Sequence, residues 1–255
     1  MRLQKVSLSL LSGVLVLAAG LESSHLRSVA AAKRAGRPDT NSTASVLGRV
    51  RLEGTKPESA HINTASDPTC AKAHPGGVTS EDFVVGSEGT LENVVVFISD
   101  GMNDKSFDVP AEPVTIEQKG CVYKPHVIAV RANQKLKIVN SDNTLHNIHP
   151  VPTNNREWNK AQPGGSTLEE TFAREEIAIP VKCNVHPWMR SYIAVFKHPY
   201  FAVTGKDGSF DLSNLPPGEY TLKAWHEKLG VMLQKVTVAA GENKKIEFVF
   251  KSPAH

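Results

Sequence analysis

The 255-residue chain is short of most features that announce a catalytic or scaffold class. Its three cysteines, Cys70, Cys121 and Cys183, allow one disulfide and leave one thiol over. Cys70 is followed by Ala-Lys-Ala-His74, so the Cys-x-x-Cys-His pattern that attaches haem is absent. There is no Gly-rich phosphate loop and no nucleophile elbow. His226-Glu227 begins like the helix of a zinc peptidase, but the chain runs on through Lys228-Leu229-Gly230 without the second histidine. Neither sign of charge dominates, with Lys+Arg 29 against Asp+Glu 26. That balance argues for neither nucleic acid nor an acidic membrane as partner. Past residue 32 no segment keeps a 3.6-residue apolar period between caps, which points to an all-β chain. Catalysis is not expected.

What is present begins with an export signal. Arg2 and Lys5 precede an apolar run from Val6 to Ala19, followed by small residues, and the run is too short for a comfortable membrane span. Residues 1–32 read as a signal peptide cleaved after Ala32, with Gly20 the other small-residue position. Its removal takes away Arg2, Lys5, Arg27 and Glu22 and leaves the mature chain near neutral. An exported protein, periplasmic or extracellular and without a membrane span after cleavage, is the expectation. Residues 33–44 are polar and small and read as a linker.

The chemistry sits in Cys183-Asn184-Val185-His186-Pro187-Trp188-Met189. A thiolate, an imidazole and a thioether at intervals of three can converge on one ion, and the upstream run Asn140 to Asn147 offers a second imidazole in His146. Two His and one Cys in a near-trigonal plane with a weak axial Met form the donor set that suits a type 1 (blue) copper centre. Zinc sites use more thiolates or a carboxylate, and rarely a thioether. His149 is the rival for the first imidazole. Paired His-x-His motifs, which multicopper oxidases and nitrite reductases need, do not occur.

The cysteine loop, the following Arg190 and the run His146-Asn147-Ile148-His149 resemble the plastocyanin/amicyanin branch of the cupredoxins, over about Pro113 to Phe196. The resemblance implies a Greek-key β-sandwich holding one copper through His146, Cys183, His186 and Met189, and an electron carrier that meets redox partner proteins. It also implies that Asn147 ties the two ligand loops together. Pro187 and Trp188 are expected to form an apolar rim around His186, the ligand taken to face solvent and partners. Trp188 stands where Phe is commoner, and Cys121 is not standard. If Cys183 holds metal, Cys70 and Cys121 are the natural disulfide pair in an oxidising compartment, with buried free thiols as the alternative.

The flanks read as a second sandwich. Val46 to Leu52 alternates with the period of a half-buried strand, and Leu91 to Ile98 reads as a central strand buried on both faces. Residues 57–82 read as a long loop. Val127–Val130 and Leu136–Val139 read as a hairpin or paired edge. The run Asp207 to Tyr220 (Asp-Gly-Ser-Phe-Asp-Leu-Ser-Asn-Leu-Pro-Pro-Gly-Glu-Tyr) resembles the transthyretin-like or carboxypeptidase-regulatory-like sandwich, whose early strands would be those near Val50 and Val95. The expected organisation is therefore a cupredoxin-like domain (112–197) inserted into a split sandwich (45–110 and 199–252). The rival is a tandem pair with the early strands packed on the copper domain. Two other functions stay open: copper storage or delivery, and a carbohydrate-binding or adhesion sandwich with a structural metal.

Overall fold

Most of the long strands described sort their side chains by the two-residue period of a pleated chain, and the sorting decides which sheet packs on which. The computed structural model describes residues 42–102 and 105–253. The segment read as a signal peptide, and the linker before residue 42, lie outside the described residues.

The described residues are all-β apart from one short α-helix and one 3-10 turn (Ser87–Gly89) and form four main sheets. In the first, β1 (Ala44–Glu53) lies between β15 (Ser209–Leu215), antiparallel, and β18 (Asn243–Lys251), parallel. The second runs β14 (Phe201–Val203), β4 (Val95–Asp100), β16 (Gly218–His226), β17 (Gly230–Val238). The early strands β1 and β4 thus pair with strands from the end of the chain. The intervening strands make the third sheet, in the order β10 (Lys160–Gln162), β9 (His146–Pro150), β12 (Glu176–Lys182), β13 (Arg190–Phe196), β7 (Val127–Arg131). The fourth runs β11 (Thr167–Glu170), β8 (Leu136–Asn140), β5 (Val114–Gln118), β6 (Tyr123–Lys124). A small hairpin joins β2 (His61–Ile62) to β3 (Val78–Thr79).

Three apolar cores hold these sheets face to face. Val46, Val50 and Leu52 of β1 meet Val96 and Ile98 of β4 and Leu222 of β16 in one. The alternate residues of β4, Val95 and Phe97, pack against Val127, Ala194 and Phe196 of the third sheet. Ile193 and Val195 of β13 face the other way, onto Ile116, Leu136 and Ile138 of the fourth. The second and third sheets are therefore covered on both faces, which is why the middle of β4 and β13 carries almost no polar residue. Burial on this scale is worth roughly 25 cal/mol for each Å² of apolar surface removed from water.

Two local expectations change. The runs around Val130 and Ile138 do not form a hairpin: β7 belongs to the third sheet and β8 to the fourth. β7 buries Ile128 and Val130 and β8 buries Leu136 and Ile138 in the same core, so after the turn at Asn133, whose φ is +66°, the chain crosses the core to the opposite sheet. Nor is 57–82 only a loop. Besides β2 and β3 it contains α1 (Pro68–Ala73), where Asp67 accepts from the backbone N–H of Thr69 (2.7 Å) and Cys70 (3.0 Å) with proline in the first turn. A Cys70–Cys121 disulfide fastens this helix to the turn before β6. Among the described residues no helix is long and apolar enough to cross a membrane.

Candidate metal centre

The third sheet supplies the frame. β9 opens on His146, β12 ends one residue before Cys183, and β13 starts one residue after Met189, so the seven-residue loop joins two antiparallel neighbours. Ligands at strand ends inherit the stiffness of the sheet. Cys183 N–H donates to Met189 O (3.2 Å) and Met189 N–H to His186 O (3.0 Å), closing the loop on itself. The donor atoms of His146, Cys183 and His186 lie within 4.8 Å of one another. His146 and Met189 are 0% exposed, Cys183 and His186 2%.

Asn147 ties the two ligand segments. Its Oδ1 accepts from Asn184 N–H (2.6 Å), Val185 N–H (3.3 Å) and the Cys183 thiol (3.3 Å), while its Nδ2 donates to Asn159 Oδ1 (2.6 Å). His186 N–H points at Cys183 Sγ (3.4 Å). Tyr123 Oη donates to the Asn147 carbonyl (2.5 Å), and burial raises its phenol well above the ordinary range.

The two imidazoles face each other through Nδ1 at 2.8 Å. Their outward nitrogens each meet a carboxylate, His146 Nε2 to Asp142 Oδ2 (2.9 Å) and His186 Nε2 to Asp67 Oδ2 (3.2 Å). An ionised carboxylate only accepts, so it calls for the proton on Nε2. With both rings in that tautomer, the inward nitrogens would present lone pairs at contact distance, an arrangement that a cation relieves. Burial first, then the nearby His186, lowers the pKa of His146, against the pull of Asp142, and so favours the neutral ring that binds metal. Burial also works to raise Asp67, but hydrogen bonds from Cys70, His186, Thr69 and Thr144 outweigh it and hold the carboxyl below its usual range.

His186 differs from its expected role. It is enclosed, with Asp67 on its outer nitrogen and the Trp188 ring at 5.0 Å, instead of presenting an edge to solvent. Trp188 Nε1–H donates to Cys121 O (3.1 Å), which fixes the indole beneath the disulfide segment. Beside the ligands in sequence, Pro187, Leu145 (48%) and Val185 (45%) are exposed, and Trp188 is half-buried. His149 lies apart, with Nδ1 to Asn184 Oδ1 (3.1 Å) and Nε2 to Glu157 (2.7 Å). Glu227 gives its carboxylate to His126. Sequence reasoning missed Asp67 and Asp142. Asp67-Pro68 is a helix-start signal, but nothing local ties it to a residue 119 positions away.

Two other donor clusters, Asp67–Cys70–His186 and Cys121–Asp142–His146, share residues with the first, and their sulfurs are bonded to each other. Only Cys183 keeps its sulfur free of a disulfide. Two imidazole nitrogens facing each other, one free thiol and a buried thioether in the same core fit a soft or borderline ion such as copper. His146, Cys183, His186 and Met189 would hold it.

No curated protein matches the sequence. Residues 173–246 match the family described as polysaccharide lyase family 4, domain II. Among solved structures, the copper-containing nitrite reductase of Thermus scotoductus is similar at 17% identity over 39% of this chain and 26% of that one, with a TM-score of 0.33. A purple cupredoxin of Nitrosopumilus maritimus is similar at 20% identity over 32% of this chain and 97% of that one (TM-score 0.28). An oxidised amicyanin carrying a proline-to-glycine substitution is similar at 15% identity over 39% of this chain and 97% of that one (TM-score 0.31). The chain spans about a quarter of the nitrite reductase.

Proposed function

We propose that this protein is an exported type 1 copper protein that passes single electrons between redox partners. The observation that carries the reading is the convergence of His146, Cys183 and His186, with Met189 buried on the same loop, in a rigid and enclosed frame. Copper would supply a one-electron couple at this site. The chain's part is to hold the donors so that little moves when the charge changes: Asn147 pins the loop, the sheet fixes its ends, and the cap over His186 excludes water. Buried donors beneath a cap tied down by a disulfide suit retention better than delivery of copper. The sandwich of 45–110 and 199–252 serves here as scaffold; the polysaccharide-lyase likeness of 173–246 bears on less than a third of the chain. Small, brief contacts suit such exchange. The test is repeated reduction and reoxidation of the copper-loaded protein by a small redox protein. Complete recovery of the oxidised spectrum without metal release is expected, and loss of metal on the first reduction would favour storage or delivery.

A further inference from the structure

The two ligand imidazoles are backed by a matched pair of carboxylates that belong to no part of the ligand motif. Asp67 is a hub: Oδ1 caps α1 through Thr69 and Cys70, while Oδ2 reaches His186 Nε2 (3.2 Å) and Thr144 Oγ1 (3.2 Å) on the loop before the other histidine. Asp142 is its counterpart. Oδ1 accepts from Gly120 N–H (2.6 Å), and Oδ2 from Cys121 N–H (2.7 Å) and His146 Nε2 (2.9 Å). The residue capped by Asp67 and the residue whose amide holds Asp142 are Cys70 and Cys121, and these are bonded to each other.

Resting on the copper reading, we propose that Asp67 and Asp142 are positioning residues that orient the two imidazoles with Nδ1 inward and set the reduction potential, and that the Cys70–Cys121 disulfide holds the pair in register. The physics is that of a carboxylate behind a metal-bound histidine. Accepting the outer N–H fixes the tautomer and makes the inner nitrogen a better donor, and partners of this kind are commonly worth about 10–100-fold in metal affinity. Negative charge behind both rings favours the more positive oxidation state, so the pair biases the centre towards Cu(II). A tenfold loss confined to Cu(II) equals about 59 mV upward for a one-electron couple.

Asp67→Asn and Asp67→Ser both keep a good helix cap and remove the charge. The serine is also too short to serve His186 as well. Asp142→Asn tests the other arm. The three variants are expected to bind Cu(II) about 10–100-fold more weakly than wild type, measured by chelator competition, with raised potentials. In the wild-type apoprotein, ¹⁵N shifts should place the proton of both His146 and His186 on Nε2. Folded variants with wild-type Cu(II) affinity and potential would overturn the proposal. So would Nδ1–H tautomers in the apoprotein, a result that needs neither variant nor metal. Failure of the wild type to form a coloured copper site would strike the copper reading instead, leaving the tautomers to decide whether the carboxylates orient the rings.

Discussion

Replacing Asn147 by alanine tests whether the ligand loop is held from outside. The side chain is buried and makes four hydrogen bonds, to Asn184 N–H, Val185 N–H, the Cys183 thiol and Asn159. Two backbone donors lose their acceptor. An orphaned buried N–H costs about 1–3 kcal/mol, but Asn184 and Val185 are exposed residues and water can reach their amides, so the lower end applies. Adding about 1 kcal/mol for the Asn159 contact gives a destabilisation of about 2–3 kcal/mol. For a domain of this size each kcal/mol moves Tm by about 2–4 °C, so a fall of about 4–12 °C is predicted. Calorimetry of the apoprotein reads it, with Asn159→Ala as the control that loses one bond. A change below about 2 °C would show that the loop keeps its shape without Asn147.

Cys183→Ser should abolish the charge-transfer colour of the copper-loaded protein, whereas Met189→Leu should keep copper and shift its potential; absorption and voltammetry check both. Breaking the disulfide with Cys70→Ser/Cys121→Ser opens a loop of sequence separation 51, worth about 4 kcal/mol in urea unfolding, and should raise the potential in the sense expected for Asp67→Asn. Acid should unfold the protein through two buried histidines. Burial first pushes His198 down to about 4, aided by Arg131; it does the same for His226, aided by His126. Each ring accepts a backbone N–H at Nδ1, from Tyr200 and from Lys228. Both folded values lie below the ordinary 6.5, so the unfolded chain binds more protons and stability falls from about pH 6.5 towards 4. The size is about 3 kcal/mol for each ring. His126 acts in the opposite sense: burial lowers it, but Glu227, Glu81 and Asp82 raise it overall, so its contribution is present below 6.5 and is lost as pH rises through the raised value. Urea unfolding at pH 7 and pH 4.5, with and without His226→Gln, should show the acid loss and its partial relief.

What could be read in the sequence was local. The spacing of Cys183, His186 and Met189 on one turn is itself the geometry that gathers them, and the alternation of Val46, Val50 and Leu52 predicts the face that β1 buries. The doubly covered β4 was visible in the unbroken run Val94 to Ile98 for the same reason. The failures were cases where a local pattern has two tertiary outcomes. Val127–Val130 and Leu136–Val139 alternate alike whether the chain returns to its own sheet or crosses to the facing one, and here it crosses. His186 was expected at the surface because the loop alone does not reveal what covers it. Its cover comes from Asp67 and α1, in a stretch whose composition resembled a plain loop and whose partner lies beyond two sheets in sequence.

The centre itself is tested most directly by adding one equivalent of Cu(II) to the apoprotein and recording absorption and EPR spectra. A stoichiometric, intense visible thiolate-to-copper band with the narrowed hyperfine splitting of a type 1 site is predicted. A colourless adduct with an ordinary tetragonal EPR signal, or binding that survives Cys183→Ser unchanged, would contradict the account.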